Sequence, residues 1–384
     1  MNKALVIGGT GPTGPFIVQG LLQRGFDVTI LHSGRHEVDF MHSSVRHLHV
    51  DPFDIDALSS ALAAQSYDLT IATYGRLRDT ARLLARNTDR FISIGAFAAY
   101  PGAVQTFDGA FPNGTRAPFR ESDPSVSTHT PGIHSKLLHI LEAEQAVFEH
   151  HPAATHVRYA NVYGPRHPMP VEWTIVRRVL DKRKCIIVPD NGLTIRSRVF
   201  SENAAHAVMC IVDHPAEAAG ETFNVADEWA PTLRQWIEMI GRALGHEFDI
   251  VNMPFEFATP AHPMMMVSDS GHRMSLPDKA IWRLGYRTKV PVETALAQTA
   301  SWLAQNPPSI SSLVRLADTF DYATEDQLIS GWRALEAEAR AALPTTAGEY
   351  RSRYKWESGT RRSPRLSTSD NADGEIASAA PKSA

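Results

Sequence analysis

The chain has 384 residues, of which 43% are hydrophobic, and a formal net charge of −4. That is enough chain for one large α/β domain and a smaller lobe. The mild acidity gives no support to general nucleic-acid or anionic-membrane binding, and no apolar run is long enough to span a bilayer.

The sequence enters an apolar strand within three residues of Met1, so no signal peptide is expected. With only two cysteines, Cys185 and Cys210, a reducing cytoplasm is the expected location. Residues 4–7 (Ala-Leu-Val-Ile) read as a buried parallel strand. Gly8, Gly11 and Gly14 follow, and an amphipathic helix over residues 16–24 presents Phe16, Ile17, Gly20, Leu21 and Leu22 to a sheet. Gly25 ends that helix and a second strand fills residues 26–31.

Strand, glycine turn, helix and strand make the dinucleotide-binding unit. The turn must bring bare backbone against a pyrophosphate and aim a helix N-terminus at it, which excludes side chains there. Gly8, Thr10, Gly11, Pro12, Thr13 and Gly14 are therefore the expected cofactor turn. After the second strand come His32, Ser33, Gly34 and Arg35, with no acidic residue before Glu37. An NAD site normally places a carboxylate there for the ribose 2′-hydroxyl, whereas Arg35 suits a 2′-phosphate. The expected cofactor is NADP, with NAD the alternative, and Ser33 and Arg35 are its adenosine-side contacts.

The β–α alternation continues. Residues 45–50 form a third strand, on which His47 and His49 share a face, but the sequence places no third ligand beside them and no metal is expected. Asp54 caps a helix to about residue 65. Strands at 67–72 and 90–94 bracket a helix at 77–85, and a loop rich in Pro, Gly, Ser and Thr covers 101–131. Loops of that length leaving a central strand are usually functional. A helix over 132–150 and a strand over 155–159 complete the pattern. From about Met169 it loosens into an α+β lobe, with strands at 185–189 and 222–226 and helices near Arg177-Arg178, at 202–213 and at 233–244. Thr324 and Gln327 suggest a capping box for a last helix ending near Leu343. Beyond Trp356 almost nothing is apolar and disorder is expected.

Across about residues 1–308 these residues resemble the extended short-chain dehydrogenase/reductase family, the group of nucleotide-sugar epimerases and dehydratases. The likeness rests on the Gly8/Gly11/Gly14 turn, Asp51, Ser135-Lys136, Arg158 with Asn161-Val162-Tyr163-Gly164-Pro165, Arg196, and Phe223-Asn224-Val225. It implies a Rossmann-type doubly wound parallel sheet at 1–168 (with later segments interleaved) and a substrate lobe at 169–308; beyond it, the capping residues and composition give a helical extension at 309–356 and a tail at 357–384. By the same resemblance Asp51 contacts the adenine, Lys136 holds the nicotinamide ribose, and Asn161 and Arg196 bind the substrate, Arg196 at a diphosphate.

The departures from the family lie at the chemistry. The acid/base tyrosine, four residues before the lysine, is Gly132 here, and the serine or threonine after the fifth strand aligns with Ala96. Ser93 sits inside that strand. His134 points away from position 132 on a helix. Tyr100, His129 and Tyr163 are loop substitutes, and Tyr163 and His129 join Lys136 as the catalytic candidates. Three readings follow. The first is an NADP-dependent enzyme working on a polar small molecule (nucleotide-sugar-like or carbonyl) with a displaced acid/base. The others are a non-catalytic NADP sensor and, with the least support, an RNA-interacting relative. A homodimer is compatible with all three.

Overall fold

The structure is a computed structural model, and it describes residues 2–34, 43–63, 65–73, 76–101, 103, 117–127, 135–265 and 270–343. In chain order the elements are β1 (Lys3–Ile7), α1 (Gly14–Gln23), β2 (Asp27–His32), β3 (Arg46–His49), α2 (Ile55–Leu62), β4 (Tyr67–Thr73), α3 (Leu77–Leu84), β5 (Thr88–Ala96), α4 (Ser135–His150), β6 (Thr155–Tyr159) and β7 (Asn161–Tyr163). They continue as α5 (Trp173–Leu180), β8 (Cys185–Pro189), β9 (Arg198–Phe200), α6 (Ser201–Asp213), α7 (Pro215–Ala218), β10 (Thr222–Val225), α8 (Leu233–Ala243) and β11 (Asp249–Met253). The rest is helical: α9 (His262–Met265), α10 (Asp278–Leu284), α11 (Val292–Gln305), α12 (Ile310–Leu316) and α13 (Tyr322–Ala341).

Seven parallel strands form one sheet in the order β10-β6-β5-β4-β1-β2-β3. Ala4, Leu5, Val6 and Ile7 are buried because helices cover both faces, which is why β1 is apolar without alternation. α1 and α6 cover one face with Ile17, Val18, Leu21, Val208 and Ile211. α2, α3 and α4 cover the other with Leu58, Leu62, Ala81, Leu84 and Val147. Gly20 lets α1 approach α6, since a Cβ there would lie 2.5 Å from Met209 Sδ. β1 has β2 on one side and β4 on the other, so the strand order reverses there and opens a crevice at the carboxyl ends, where open α/β sheets bind ligands.

The lobe is built on α5, α8 and α11 around Trp236, Ile237, Leu296 and Leu303. Two small parallel pairs, β7 with β9 and β8 with β11, complete it. β10, which follows β9 and α6 in the chain, leaves the lobe and extends the main sheet beside β6. Three strands, β7, β9 and β11, were not expected from the sequence. The cap of α13 also differs from expectation. Asp321, not Thr324, takes that role, its carboxylate accepting from the Thr324 backbone amide at 3.1 Å and from the Thr324 hydroxyl at 2.6 Å. Residues 1–332 make one compact unit; of the second, 333–384, residues 333–343 are described. The tail beyond Trp356 lies outside the described residues.

Candidate active site

The three glycines do three different things. Gly8 has φ +88°, donates its N–H to Leu31 O at 2.9 Å, and sits where a Cβ would come within 2.2 Å of Thr73 Oγ1. Gly14 packs the start of α1 on the turn: a Cβ would lie 2.2 Å from Gly9 O. At Gly11 a Cβ would meet only Gly8 O, at 3.7 Å. The first two glycines are demanded by the protein's own packing. Gly11 keeps a space open, and bare backbone beside an uncapped helix start is the arrangement that accepts a pyrophosphate. Thr10 and Pro12 are half-buried on the same turn, and Thr13 is buried at the α1 N-cap.

At the adenosine end, Ser33 is exposed just past β2, and the Asp51 carboxylate accepts from Phe53 N at 2.9 Å. His32, at the last position of β2, faces His47 and His49 of β3. The sequence named only the latter two. Arg35, His129, Gly132 and His134 lie outside the described residues. Lys136 falls in the first turn of α4, and its side chain is likewise outside them.

A cleft of about 330 Å³ runs from Gly8, Gly11 and Thr13 to Asn161, His167, Glu172 and Arg198. Beside it a cavity of about 640 Å³ opens between the end of β5 and helices α3 and α4, lined by Gly95, Leu137, His139 and His156 among others. Ala96 and Asn161 line both. The two positions the sequence singled out for substrate meet each other. With its amide oriented to satisfy both donors, Asn161 Oδ1 accepts from Arg196 Nη2 at 3.0 Å and Nε at 2.6 Å. Arg196 also donates from Nη1 to Met265 O at 2.7 Å and is buried. β7 and β9 hold Asn161 opposite Arg198, whose guanidinium lies 3.9 Å over the Trp236 ring.

Three hydroxyls that the sequence weighed do not line the cleft. Tyr163 is buried against Phe200 and Trp236 and donates to Asp227 Oδ2 at 3.0 Å. Burial and the Asp227 charge hold its phenol well above the usual range. Tyr100 is buried, stacks on Phe119 and donates to Asn224 Oδ1 at 2.8 Å. Ser93 is buried with Oγ 2.7 Å from His156 Nδ1, and burial lowers the His156 pKa to about 4. Arg158 lies under this floor, paired to Glu144 through Nε at 3.0 Å and Nη2 at 2.8 Å.

The cleft adds two groups that the sequence reading did not name. Glu172 is buried at the N-cap of α5; burial raises its carboxyl pKa, and the Arg198 charge opposes the rise. His167 sits on the preceding loop, where Nδ1 accepts from Met169 N at 3.2 Å. That bond leaves the neutral ring's proton on Nε2, and burial lowers the ring's pKa. A Pro-bounded loop between β7 and α5 was the available signal, but no spacing rule marks these residues.

Both the sequence and the fold have known counterparts. The sequence matches the NAD dependent epimerase/dehydratase family over residues 4–226, more than half of the chain. A curated relative, the uncharacterized protein y4nL of Sinorhizobium fredii, is 25% identical over 174 residues, 40% of this chain and 48% of that protein. The chain thus spans about half the length of that relative. Among solved structures, a UDP-glucose 4-epimerase from Thermotoga maritima, solved with UDP-glucose, superposes with TM-score 0.63 at 17% identity, over 79% of this chain and 99% of its own. A dTDP-glucose 4,6-dehydratase from Bacillus anthracis, solved with NAD, gives 0.62 at 14% identity over 82% and 100%. The enzyme WbmH of Bordetella bronchiseptica, in complex with NAD+, gives 0.62 at 16% over 80% and 99%. The glycine turn, the reversed strand order and the sequence match agree, and the chain belongs to the NAD dependent epimerase/dehydratase family.

Proposed function

We propose that the chain is an NADP-dependent enzyme of the epimerase/dehydratase kind, acting on a polar, nucleotide-sugar-like or carbonyl small molecule with a displaced acid/base. The observation that carries this is a single cleft with the glycine turn at one end and Asn161, His167, Glu172 and Arg198 at the other. When bound, the nicotinamide would supply hydride chemistry to a carbonyl or carbinol carbon. The turn amides and the α1 N-terminus would hold the pyrophosphate, Asp51 the adenine, Arg35 a 2′-phosphate and Lys136 the nicotinamide ribose.

With glycine at 132 and alanine at 96, proton traffic falls to other groups that line the cleft. His167, neutral with its proton on Nε2, is suited to donate a hydrogen bond to a substrate oxygen and polarise it. Glu172, whose carboxyl burial raises above its ordinary pKa, is suited to hold and exchange a proton more readily than an exposed carboxylate. The Asn161–Arg196 pair would orient the substrate. The Tyr163 hydroxyl, held by Asp227, would act by fixing the β7 wall rather than by touching substrate.

A cofactor sensor without turnover is the second reading, favoured by Gly132 and Ala96. An RNA-binding role has less support, because among the described residues three arginines of its basic clusters are paired within the protein. Arg178 pairs with Asp318 at 2.7 Å and Glu325 at 2.5 Å, Arg177 with Asp181 at 2.6 Å, and Arg183 with Asp326.

The test is turnover of NADP(H) by the purified protein against panels of nucleotide sugars and carbonyl compounds, with Glu172→Gln and His167→Asn alongside. The enzyme reading expects activity in the wild type and a loss of roughly a hundredfold or more in each variant, with cofactor affinity retained. Tight NADPH binding with no turnover on either panel would favour the sensor. Activity unaffected by both substitutions would remove them from the chemistry.

A further inference from the structure

We propose that His32, His47 and His49 form a binding site for a single divalent transition metal ion, of which zinc is the best fit, on the β2–β3 edge of the sheet. The parallel register pairs His32 with His49 and Ile30 with His47, so all three imidazoles leave the same sheet face. One nitrogen of each lies within 4.8 Å of the other two. The rings are nearly perpendicular, at 74°, 88° and 79°, with centroids 5.1, 4.8 and 5.9 Å apart. They converge edge-on rather than stacking.

The spacing suits a metal. Nitrogens bound at 2.0–2.1 Å in a tetrahedral shell stand about 3.3 Å apart. His32 Nε2 and His47 Nδ1 already face each other at 3.0 Å, so an ion between them needs an opening of a few tenths of an ångström. His49 is exposed and closes the remaining distance by a side-chain rotation. Two of the ligands come from adjacent strand positions of one face and the third from the neighbouring strand, so the backbone fixes the triangle without help from a loop. Three imidazoles of borderline softness select zinc, copper, nickel or cobalt over magnesium or calcium, and leave a fourth position for water or an anion.

The bonds around His32 say what loading changes. Its Nδ1 accepts from Gly34 N at 3.2 Å, which puts the neutral ring's proton on Nε2, toward His47. A metal takes that place, and the neutral ring's one proton moves from Nε2 to Nδ1. The Gly34 bond to Nδ1 is then given up.

The experiment uses tag-free, chelator-treated full-length protein. Zinc is titrated calorimetrically, and cobalt by visible absorption, which reports imidazole coordination. The wild type should take up one equivalent of each, and zinc should raise its melting temperature. His47→Gln and His49→Gln, at exposed positions of a sheet-edge strand, should fold and bind at least tenfold more weakly, and the double variant should show neither uptake nor a melting shift. X-ray absorption on zinc-loaded wild type gives a count that needs no variant, and three imidazoles are expected. No saturable equivalent in the wild type overturns the proposal. So does equal affinity in the double variant, or a shell with fewer than three imidazoles.

Discussion

Asn161 and Arg196 are joined by two hydrogen bonds, at 3.0 and 2.6 Å, donated by Nη2 and Nε of the one guanidinium to the one amide oxygen. The pair is buried on the Arg196 side and lines the cleft on the Asn161 side. Arg196 therefore fixes the amide and leaves Asn161 as the surface a substrate meets.

That geometry makes the two substitutions non-additive. Arg196→Ala should cost about 2 kcal/mol of stability, because Met265 O and the Asn161 amide both lose a buried donor. Arg196→Lys should recover less than half, since an ammonium cannot offer two coplanar N–H groups to one oxygen. A double-mutant cycle with Asn161→Ala, read by urea unfolding, should give a coupling of roughly 1–2 kcal/mol. Additive effects would mean that the two side chains do not hold each other.

The glycine turn separates folding from binding. Gly11→Ala meets nothing closer than 3.7 Å, so stability should change by no more than about 0.5 kcal/mol. Affinity for the dinucleotide should fall at least tenfold, about 1.4 kcal/mol. Gly14→Ala meets a backbone carbonyl at 2.2 Å and should lose roughly 2 kcal/mol or more of stability. Thermal melts with and without cofactor distinguish them, and similar melting of the two variants would be wrong for this turn.

The proposed preference for NADP rests on Arg35, which follows β2 in the sequence. NADP(H) should bind at least tenfold tighter than NAD(H), about 1.4 kcal/mol, and Arg35→Ala should remove most of that difference. Calorimetric titration of both cofactors decides it, and equal affinities would return the assignment to NAD.

Two buried groups titrate in opposite directions. Burial lowers the His156 pKa to about 4, so the unfolded chain binds the proton first and this group's stability is lost as pH falls from about 6.5 to 4. Burial raises the Asp227 pKa to about 6, against the bonds from Asn203, Phe200 N and Tyr163. The folded protein then holds that proton more tightly, and stability is lost as pH rises from about 4 to 6. Each effect is on the order of 3 kcal/mol. In His156→Gln, stability relative to wild type should improve as the pH is lowered through this window; in Asp227→Asn it should improve as the pH is raised. Parallel urea-unfolding profiles for all three proteins would disprove the assignment.

The sequence disclosed the sheet because its strands are apolar runs punctuated by glycine, proline and capping residues. It disclosed the glycine turn because a tight strand-to-helix turn leaves no room for a side chain at Gly8 or Gly14. It did not disclose β7 and β9, since three residues carry no period, and those short strands are what bring Asn161 beside Arg196 and Arg198. His47 and His49 showed their shared face through alternation, but His32 joins them only through strand register, which no local pattern encodes. Tyr163 looked available because its loop follows a strand end. Its hydroxyl instead turns inward to Asp227, a partner contributed from far along the chain.

The position of β10 governs the order in which this molecule can assemble on the ribosome. Its partner strand β6 is finished at Tyr159, but β10 is translated only after the first half of the lobe, and it brings Phe223 and Val225 into the core beneath α6. Until then β6 is an open sheet edge and the Rossmann half has an unfilled hydrophobic floor, the state most exposed to wrong pairing. The nucleotide-binding half is therefore no module that evolution or an engineer could excise at its apparent boundary. The seven-stranded sheet is complete only once the chain has left that half, built part of the lobe, and returned.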